Sequence, residues 1–371
     1  CPGPVATNFN NVADVKFKDA NADLLFEASG NFLNEHPTLE LDGTIEKLDL
    51  YKMKLTANPS ALKGTISADF SDLHPDHLNG KLRLYNFAYA DGKQVIPFDS
   101  LKIDAISTSN INKLYVQSQI LDAKIEGKYT LTQLPELLMQ SISKYYEIVP
   151  NQDNASPNET YFDLDARIKN DRILYLFLPD LKNFETASIK ANYKSETDYL
   201  NLQATFPNLI YGANTIKNVS LQADTDSNKL VYNLGIEKLQ SDKYQINQIN
   251  LSGDVIDDKI QYLFQILDSD KKQQYQISGE LAALETGTRI SLDPNGLMLN
   301  YDTWTVTADN SIDILTQSQG IKAKNFILEN NGSQLAINSI NEAANAPIDV
   351  EFKNFEIESL THIIKKDSLL A

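Results

Sequence analysis

The sequence predicts an all-β protein built as one long antiparallel meander, an elongated curved sheet with one or two short amphipathic helices. Three observations predict this class: apolar and polar residues alternate in many segments, turn signals separate those segments, and a weak repeat recurs. Alternation with period two places successive side chains on opposite faces of a strand. We therefore expect each strand to pair with its neighbours in the chain.

The strand prediction depends on runs that are apolar at every second position. The clearest runs are Ile260, Tyr262, Phe264, Ile266; Leu297, Leu299, Tyr301; and Ile348, Val350, Phe352. Residues that favour tight reversals lie between such runs. These turn signals are Asp91-Gly92, Asp257-Asp258, Asp268-Ser269-Asp270, Asp293-Pro294-Asn295-Gly296 and Asn331-Gly332. Each is predicted to end one strand and begin the next.

A weak internal repeat accompanies the alternation. Its form is apolar, two residues, apolar, one residue, apolar, one residue, then Gly or Ala. The copies are Phe98, Leu101, Ile103, Ala105; Ile216, Val219, Leu221, Ala223; and Ile246, Ile249, Leu251, Gly253. A small residue inside a strand permits a bulge, a bend or the close approach of another surface. Many such positions would curve a long sheet consistently.

One helix is predicted to begin at a Thr132 N-cap, with Pro135 and Glu136 in its first turn and apolar residues at helical spacing up to Tyr146. A polar stretch over 149–160 follows and is typical of an exposed linker. We therefore divide the chain near residue 150, into β-rich segments 1–150 and 151–371. A weaker helical pattern covers 358–370.

The charge of the chain excludes several functions. Lys and Arg number 33 against 50 Asp and Glu, which gives a net charge of −17. Nucleic-acid binding and peripheral docking on anionic lipid by a basic face both need the opposite balance. The composition is that of a folded chain. We expect no nucleic-acid partner.

Cys1 is the only cysteine, so the chain cannot form an intramolecular disulfide. Its Cys-Pro-Gly-Pro setting favours an artificial junction or a domain edge over a lipidated N-terminus. No run of about 18 apolar residues occurs. Because the chain also begins without Met, we expect it to be an interior piece of a longer protein.

The motifs of catalysis and metal binding are absent from the sequence. His74 and His77 flank Pro75 and Asp76, and a turn before the strand at Leu78 explains them better than a metal site, which needs further ligands. Asp224-Thr225-Asp226 and Asp268-Ser269-Asp270 lack the later residues of a calcium loop. No nucleophile elbow, phosphate loop or dinucleotide fingerprint occurs. We predict no enzyme activity, no cofactor and no metal.

A long meander must cover its apolar face. Packing sheet on sheet gives a sandwich, closure gives a barrel, and bending gives a trough whose apolar side holds hydrocarbon chains. In the third case the apolar face is itself the functional site. The candidate lining residues are Leu101, Ile103, Val219, Leu221, Ile249, Leu251, Tyr262, Phe264, Leu299, Tyr301 and Phe352.

Several segments resemble the TamB branch of the AsmA-like proteins, in the form found in Bacteroidetes. They span nearly the whole chain and consist of repetitive strands. The segments are Leu41–Ile45, Leu62–Phe70, Asp72–Phe87, Phe98–Ala105, Leu121–Thr130 with the helix after it, Asp302–Val306, Ile321–Asn331 and Ala346–Phe355. The resemblance contains no catalytic motif.

The resemblance implies a periplasmic β-taco with a hydrophobic groove, anchored to the inner membrane in the full-length protein. It also implies phospholipid transport between the two membranes, a part in outer-membrane biogenesis, and contact with a BamA-type outer-membrane barrel through a C-terminal region that this chain lacks. The alternative from another class is an extracellular β-sandwich adhesin or carbohydrate-binding protein, with exposed aromatic residues clustered at one loop end.

Overall fold

The computed structural model describes residues 11–146, 159–225, 228–316 and 320–356. Strands account for 67% of the structure and helices for 7%, and the 24 strands form an antiparallel meander that is not closed. The predicted fold class is therefore confirmed. The described residues group into two compact units, which are treated separately below.

Unit 1 comprises described residues 11–136, 159–180 and 186–194. Its strands are β1 Asn11–Lys18, β2 Ala22–Asn31, β3 Thr38–Asp49, β4 Ala61–Asp72, β5 Asn79–Ala90, β6 Val95–Ser107, β7 Asn112–Ser118, β8 Leu121–Lys128, β9 Tyr161–Ile168 and β11 Ala187–Lys194. From β1 to β9 each strand pairs with the next one in the chain, and β9 pairs with β11. A short helix, α2 (Arg172–Phe177), begins at an Asp171 N-cap.

Unit 2 comprises residues 137–146, 181–185 and the described residues from 195 onward. Its strands are β10 Leu181–Phe184, β12 Tyr199–Tyr211, β13 Asn214–Thr225, β14 Leu230–Gln240, β15 Gln245–Ile256, β16 Lys259–Leu267, β17 Gln273–Leu284, β18 Gly287–Leu299, β19 Asp302–Val306, β20 Ser311–Leu315, β21 Gly320–Lys324, β22 Phe326–Asn330, β23 Ser333–Ser339 and β24 Ile348–Lys353. β10 pairs with β12, and each strand from β12 to β18 pairs with the next. The two halves of β18 then pair with different strands, β19 and β20.

The two-residue gap of the repeat marks a reversal of side-chain direction within a strand. In β13 the gap contains Asn218, with φ +48°, and in β15 it contains Gln248, with φ +43°. One residue in the left-handed region shifts the alternation by one position, so the apolar residues on both sides of the gap return to the same face. Ile246 accordingly packs against the same cluster as Ile249.

The small residue that ends the repeat has a different role, which is close approach. In unit 2, Gly253 pairs with Tyr232 on one side and Tyr262 on the other. A Cβ on Gly253 would lie 1.8 Å from the Gln261 carbonyl oxygen and 2.8 Å from the Tyr232 hydroxyl oxygen. The Tyr232 hydroxyl donates a hydrogen bond to that carbonyl, at 2.9 Å. The phenol therefore crosses the neighbouring strand where a side chain is missing.

One predicted turn is wrong. The segment 293–296 lies inside β18, where four residues bulge out opposite Ser278. The chain continues in the same strand because both halves of β18 have partners, and because the Ser278 hydroxyl donates to Asp293 at 2.6 Å. The other four turn signals are confirmed, since each connects two paired strands.

Tyr301 also departs from its prediction. The alternation through Leu297 and Leu299 predicts a strand that includes Tyr301, but β18 ends at Leu299. Asn300 and Tyr301 have φ +48° and +73° and form the reversal into β19. The backbone turn moves Tyr301 away from the face on which Leu299 lies.

The predicted helix is confirmed with shifted bounds. A 3-10 turn over Leu131–Gln133 leads into α1 (Leu134–Ser143). Thr132 is not the N-cap, because its backbone N–H and hydroxyl both donate to Asp76, at 2.9 Å. No helix in the described ranges is long and apolar enough to cross a membrane. Cys1, the predicted C-terminal helix, His362 and nearly all of the predicted linker lie outside the described residues.

Candidate functional site

The strand register of unit 1 places apolar side chains in a row that crosses all ten strands. Each member pairs with the next across adjacent strands. The row is Ala13, Ala28, Leu41, Ala68, Leu82, Ile103, Val116, Ala123, Ala166 and Ile189. At about 4.8 Å between strands, the row is about 43 Å long measured along the sheet. We call the side of the sheet that carries it the apolar face of unit 1.

The row one residue away, on the opposite face, is polar throughout. It is made by the same pairings. Its members are Asp14, Glu27, Asp42, Ser67, Arg83, Lys102, Gln117, Asp122, Arg167 and Ser188. Side chains of successive residues point to opposite faces, so the two rows divide the sheet into an apolar and a charged side.

The centre of the apolar face of unit 1 is accessible. Leu82, Leu101, Ile103 and Val116 lie in the middle strands and are half-buried. A residue at the centre of a sheet that is covered by a second layer is normally buried. The apolar face therefore retains partly accessible hydrocarbon surface at its centre, although Ala68 and Ile125 on the same face are buried.

Unit 2 has a corresponding apolar face. One row crosses eight strands from β12 to β19. Its members are Ala204, Leu221, Leu234, Leu251, Phe264, Ile277, Leu297 and Trp304. The parallel row is Phe206, Val219, Ile236, Ile249, Ile266 and Tyr275. On the opposite face the intervening row is mainly polar, and contains Thr205, Ser220, Asn250, Gln265, Gln276 and Thr303.

The apolar face of unit 2 is filled by its own side chains at one end and is more open at the other. Towards β24 a buried cluster contains Ile249, Ile266, Tyr275, Leu297, Leu299, Trp304, Val306 and Leu328. Towards β12, Val219, Leu221, Leu234 and Leu251 are half-buried. Tyr145, just after α1, packs on Leu230 and Val255 at the edge of the face. The accessible hydrocarbon surface of unit 2 therefore lies over β12–β15.

The structure brings most of the candidate lining residues onto these faces. Leu101 and Ile103 lie on the apolar face of unit 1. On the apolar face of unit 2 lie Val219, Leu221, Ile249, Leu251, Tyr262 and Phe264. Leu299 belongs to the buried cluster of unit 2. Phe352 on β24 pairs with Leu335 and is 62% exposed.

Tyr301 is not part of either face. Its hydroxyl donates to Asp268 at 2.7 Å, and the Lys272 ammonium lies 4.7 Å from its ring centroid. The hydrogen bond to Asp268 raises the pKa of Tyr301 to about 12. Tyr301 therefore fixes the β16–β17 turn, where Asp268 also accepts the N–H groups of Asp270 and Lys272.

Sequence reasoning missed the partners that complete each row. Four such partners stand opposite candidate residues on adjacent strands. They are Leu82 and Val116 in unit 1, and Leu234 and Ile277 in unit 2. Each lies in an alternating run, so the signal was present in the sequence. What was missing was the register, which determines the residues that stand opposite one another.

The polar atoms on the apolar face of unit 2 are few. Burial raises the pKa values of Tyr232, Tyr262 and Tyr275, so these phenols stay neutral. Among the described residues, the Tyr275 hydroxyl and the Trp304 indole N–H have no hydrogen-bond partner. A buried donor left unpaired costs about 1–3 kcal/mol. Both groups lie in the buried cluster.

A depression of about 810 Å³ lies on the charged face of unit 1. Its walls include Lys102, Lys124 and Arg167 together with Asp104 and Asp122. Charges of opposite sign are paired here, as in the contact of Lys169 with Asp122 at 2.8 Å. The mixed, paired charges make this a solvated face rather than a site for a ligand of one charge.

The structure also gathers histidines that the sequence keeps apart. The His36 ring lies 5.3 Å from the His77 ring and 6.4 Å from the His74 ring, between centroids. His74 and His77 occupy a 3-10 turn just before β5, as predicted. Asp72 contacts His36 at 2.7 Å, and His36, Asp72 and His77 border a polar cavity of about 510 Å³. In the described part of the chain, no three His, Cys, Asp or Glu side chains are arranged to hold a metal ion.

Comparison with protein-family models, curated proteins and solved structures finds no match to this chain. The resemblance to the TamB branch therefore depends on the sequence segments named above. The evidence for the apolar faces consists of the strand register and the burial of the side chains.

Proposed function

We propose that the chain is a non-enzymatic groove protein that carries acyl-chain lipid on its apolar faces. Acyl chains lie against the apolar rows, and head groups remain at the open edge in water. Each methylene transferred from water to such a surface gains about 0.8 kcal/mol. The mechanism is passive, since lipid moves between equivalent apolar positions without a chemical step.

The observation that carries this proposal is the ten-strand apolar row of unit 1 beside its ten-strand polar row. A sheet that faces water on both sides would carry polar side chains on both faces, whereas the apolar row of unit 1 remains half-buried at its centre. Leu82, Leu101 and Ile103 provide hydrocarbon surface that a chain of methylenes can cover. Contiguous apolar surface that water can reach commonly marks an interaction site.

The cellular setting follows from the resemblance to the TamB branch. We place the protein in the periplasm, anchored to the inner membrane in its full-length form. Its cargo is phospholipid moving between the two membranes, and its protein partner is a BamA-type outer-membrane barrel. The polar faces and the net charge of −17 suit a body surrounded by water.

The alternative, a β-sandwich adhesin or carbohydrate-binding protein, predicts a different pattern of burial. A sandwich packs two sheets face to face and buries the centre of each inner face. The half-buried state of Leu101 and Val116 favours an open groove over that arrangement.

A charge placed on the apolar face tests the proposal. We expect Leu251→Asp to abolish crosslinking of a phospholipid that carries a photoreactive acyl chain. A carboxylate in the row keeps its hydration water, and this water prevents an acyl chain from packing there. The matched control is Asn250→Asp, which adds the same charge on the opposite face of β15. Crosslinked lipid is measured by mass spectrometry of the irradiated protein.

The control should retain wild-type crosslinking, and circular dichroism should show both variants folded. Leu221→Asp, two strands away in the same row, is the second variant and should behave as Leu251→Asp does. Equal crosslinking in the wild type and both row variants would refute lipid carriage on this face.

A further inference from the structure

The connection between β3 and β4 exposes three apolar side chains within five residues. Tyr51 is 47% exposed, Met53 is 40% exposed and Leu55 is 65% exposed. Lys52 and Lys54 alternate with them in the sequence Tyr-Lys-Met-Lys-Leu. We call Tyr51–Leu55 the β3–β4 knob.

The knob is an ordered turn. The Leu55 N–H donates to the Leu50 carbonyl at 2.9 Å, and the Lys54 N–H donates to the Tyr51 carbonyl at 2.9 Å. With Lys54 at φ +62°, these bonds form a Schellman motif that closes a single helical turn. The Asp49 carboxylate accepts the Lys52 N–H at 3.0 Å and begins that turn. The backbone of the knob therefore has a defined conformation, in which all three apolar side chains are exposed.

The neighbouring β5–β6 turn extends the exposed apolar surface. A Cβ on Gly92 would lie 2.6 Å from Pro59, so this turn and the β3–β4 connection are adjacent. Val95, which follows the turn, is 63% exposed. An apolar cross-strand row approaches the same end of the strands. Its members are Ala22, Leu48, Leu62, Tyr89 and Ile96.

The local charge of the knob differs from that of the whole chain. Lys52 contacts Asp49 at 3.2 Å, and Lys54 adds a second positive charge with no acid inside the knob. Electrostatic interactions between exposed groups decay over about 8 Å at physiological ionic strength. The net charge of −17 therefore argues against a broad basic face. It does not prevent the lysines of the knob from interacting locally with anionic groups.

We propose that the β3–β4 knob docks unit 1 on the surface of a phospholipid bilayer. Tyr51, Met53 and Leu55 enter the interfacial region, and Lys52 and Lys54 remain at the level of anionic head groups. Lysines that alternate with apolar side chains can satisfy both environments, since their stems are apolar and their ammonium groups reach water or phosphate. This inference goes beyond lipid carriage, because a protein can dock on a bilayer without moving lipid.

The β2–β3 connection, at the opposite end of β3 from the knob, provides a matched control. Phe32 and Leu33 are 60% and 78% exposed in the β2–β3 connection, where Glu35 follows and no lysine occurs. This site therefore has apolar exposure without the basic residues.

The test is flotation with vesicles of phosphatidylethanolamine and phosphatidylglycerol. We expect the wild type to float and the double variant Met53→Asp, Leu55→Asp to lose about tenfold or more in partitioning, since two exposed apolar side chains that would enter the bilayer become charged. The double variant Phe32→Asp, Leu33→Asp adds the same charge and should float as the wild type does. Circular dichroism should show that each variant is folded.

A fluorescent reporter gives an independent measurement. Tyr51→Trp should be quenched by vesicles with brominated acyl chains, whereas the wild type, whose single Trp304 is 4% exposed, should not. Failure of the wild type to float, equal loss in the control variant, or an unquenched Tyr51→Trp would overturn the proposal. A wild-type dimer that the knob variant converts to a monomer would instead identify a second copy as the occupant, and would also overturn it.

Discussion

Replacing Gly253 by alanine is expected to lower the free energy of unfolding of unit 2 by about 2–3 kcal/mol, as overpacking of a close contact does. The added methyl group would lie 1.8 Å from the Gln261 carbonyl oxygen and 2.8 Å from the Tyr232 hydroxyl oxygen. Relief requires the β15–β16 pair to separate or the Tyr232 hydrogen bond to break. The measurement is urea unfolding followed by the fluorescence of Trp304, which is buried in unit 2.

Gly235→Ala is the matched control for that change. Gly235 lies in the adjacent strand β14, and the nearest atom to its added Cβ is the Ser220 hydroxyl oxygen at 2.9 Å, which can rotate away. We expect its unfolding midpoint to stay near that of the wild type. If Gly253→Ala unfolds at the same urea concentration as Gly235→Ala, the close approach of Tyr232 across β15 is refuted.

Asn310→Ala is expected to cost about 2–4 kcal/mol, since it leaves several backbone groups without partners. Asn310 is buried and accepts the Leu292 N–H at 2.8 Å. Its amide donates to the Leu292 carbonyl at 2.8 Å and to the Thr307 carbonyl at 2.9 Å. One side chain therefore pairs with both backbone groups of Leu292 immediately before β18 bulges at 293–296.

Asn295→Ala provides the comparison for Asn310→Ala. Asn295 is exposed within the bulge, so we expect its removal to change the free energy of unfolding by less than about 0.5 kcal/mol. Thermal unfolding monitored by circular dichroism separates the two variants. Similar midpoints for both would show that Asn310 does not hold the β18 bulge in place.

The strands were predictable because the alternation of apolar and polar residues within each one indicates which side chains share a face. Ile260, Tyr262, Phe264 and Ile266 alternate without interruption, and β16 contains all four. Where a residue adopts a left-handed conformation, the alternation shifts by one position, as at Asn218 and Gln248. The two-residue gap of the repeat coincides with those shifts.

Features that depend on distant partners were not predictable. The Asp-Pro-Asn-Gly segment at 293–296 has the composition of a reversal, but its flanks remain in one strand because β17, β19 and β20 pair with them. His36 joins His74 and His77 through the β2–β3 and β4–β5 connections, which lie at the same end of the strands. No local pattern reports such a meeting.

The apolar character of the candidate faces was predictable, and the residues that line them were predictable only in part. Val219, Leu221, Ile249 and Leu251 share a face as expected, because the repeat fixes their spacing. The prediction for Tyr301 is wrong because β18 ends at Leu299, and Asn300 and Tyr301 both adopt left-handed conformations. Accessibility could not be predicted either, because the same alternation produces both the buried cluster around Trp304 and the half-buried rows.

The most direct test of lipid carriage is native mass spectrometry of the chain after gentle purification. If the chain carries lipid, the spectrum will contain bound species whose masses correspond to phospholipids, and these species will be lost in Leu251→Asp but not in Asn250→Asp. A wild-type spectrum that contains only the lipid-free protein under conditions that preserve other lipid complexes would contradict it.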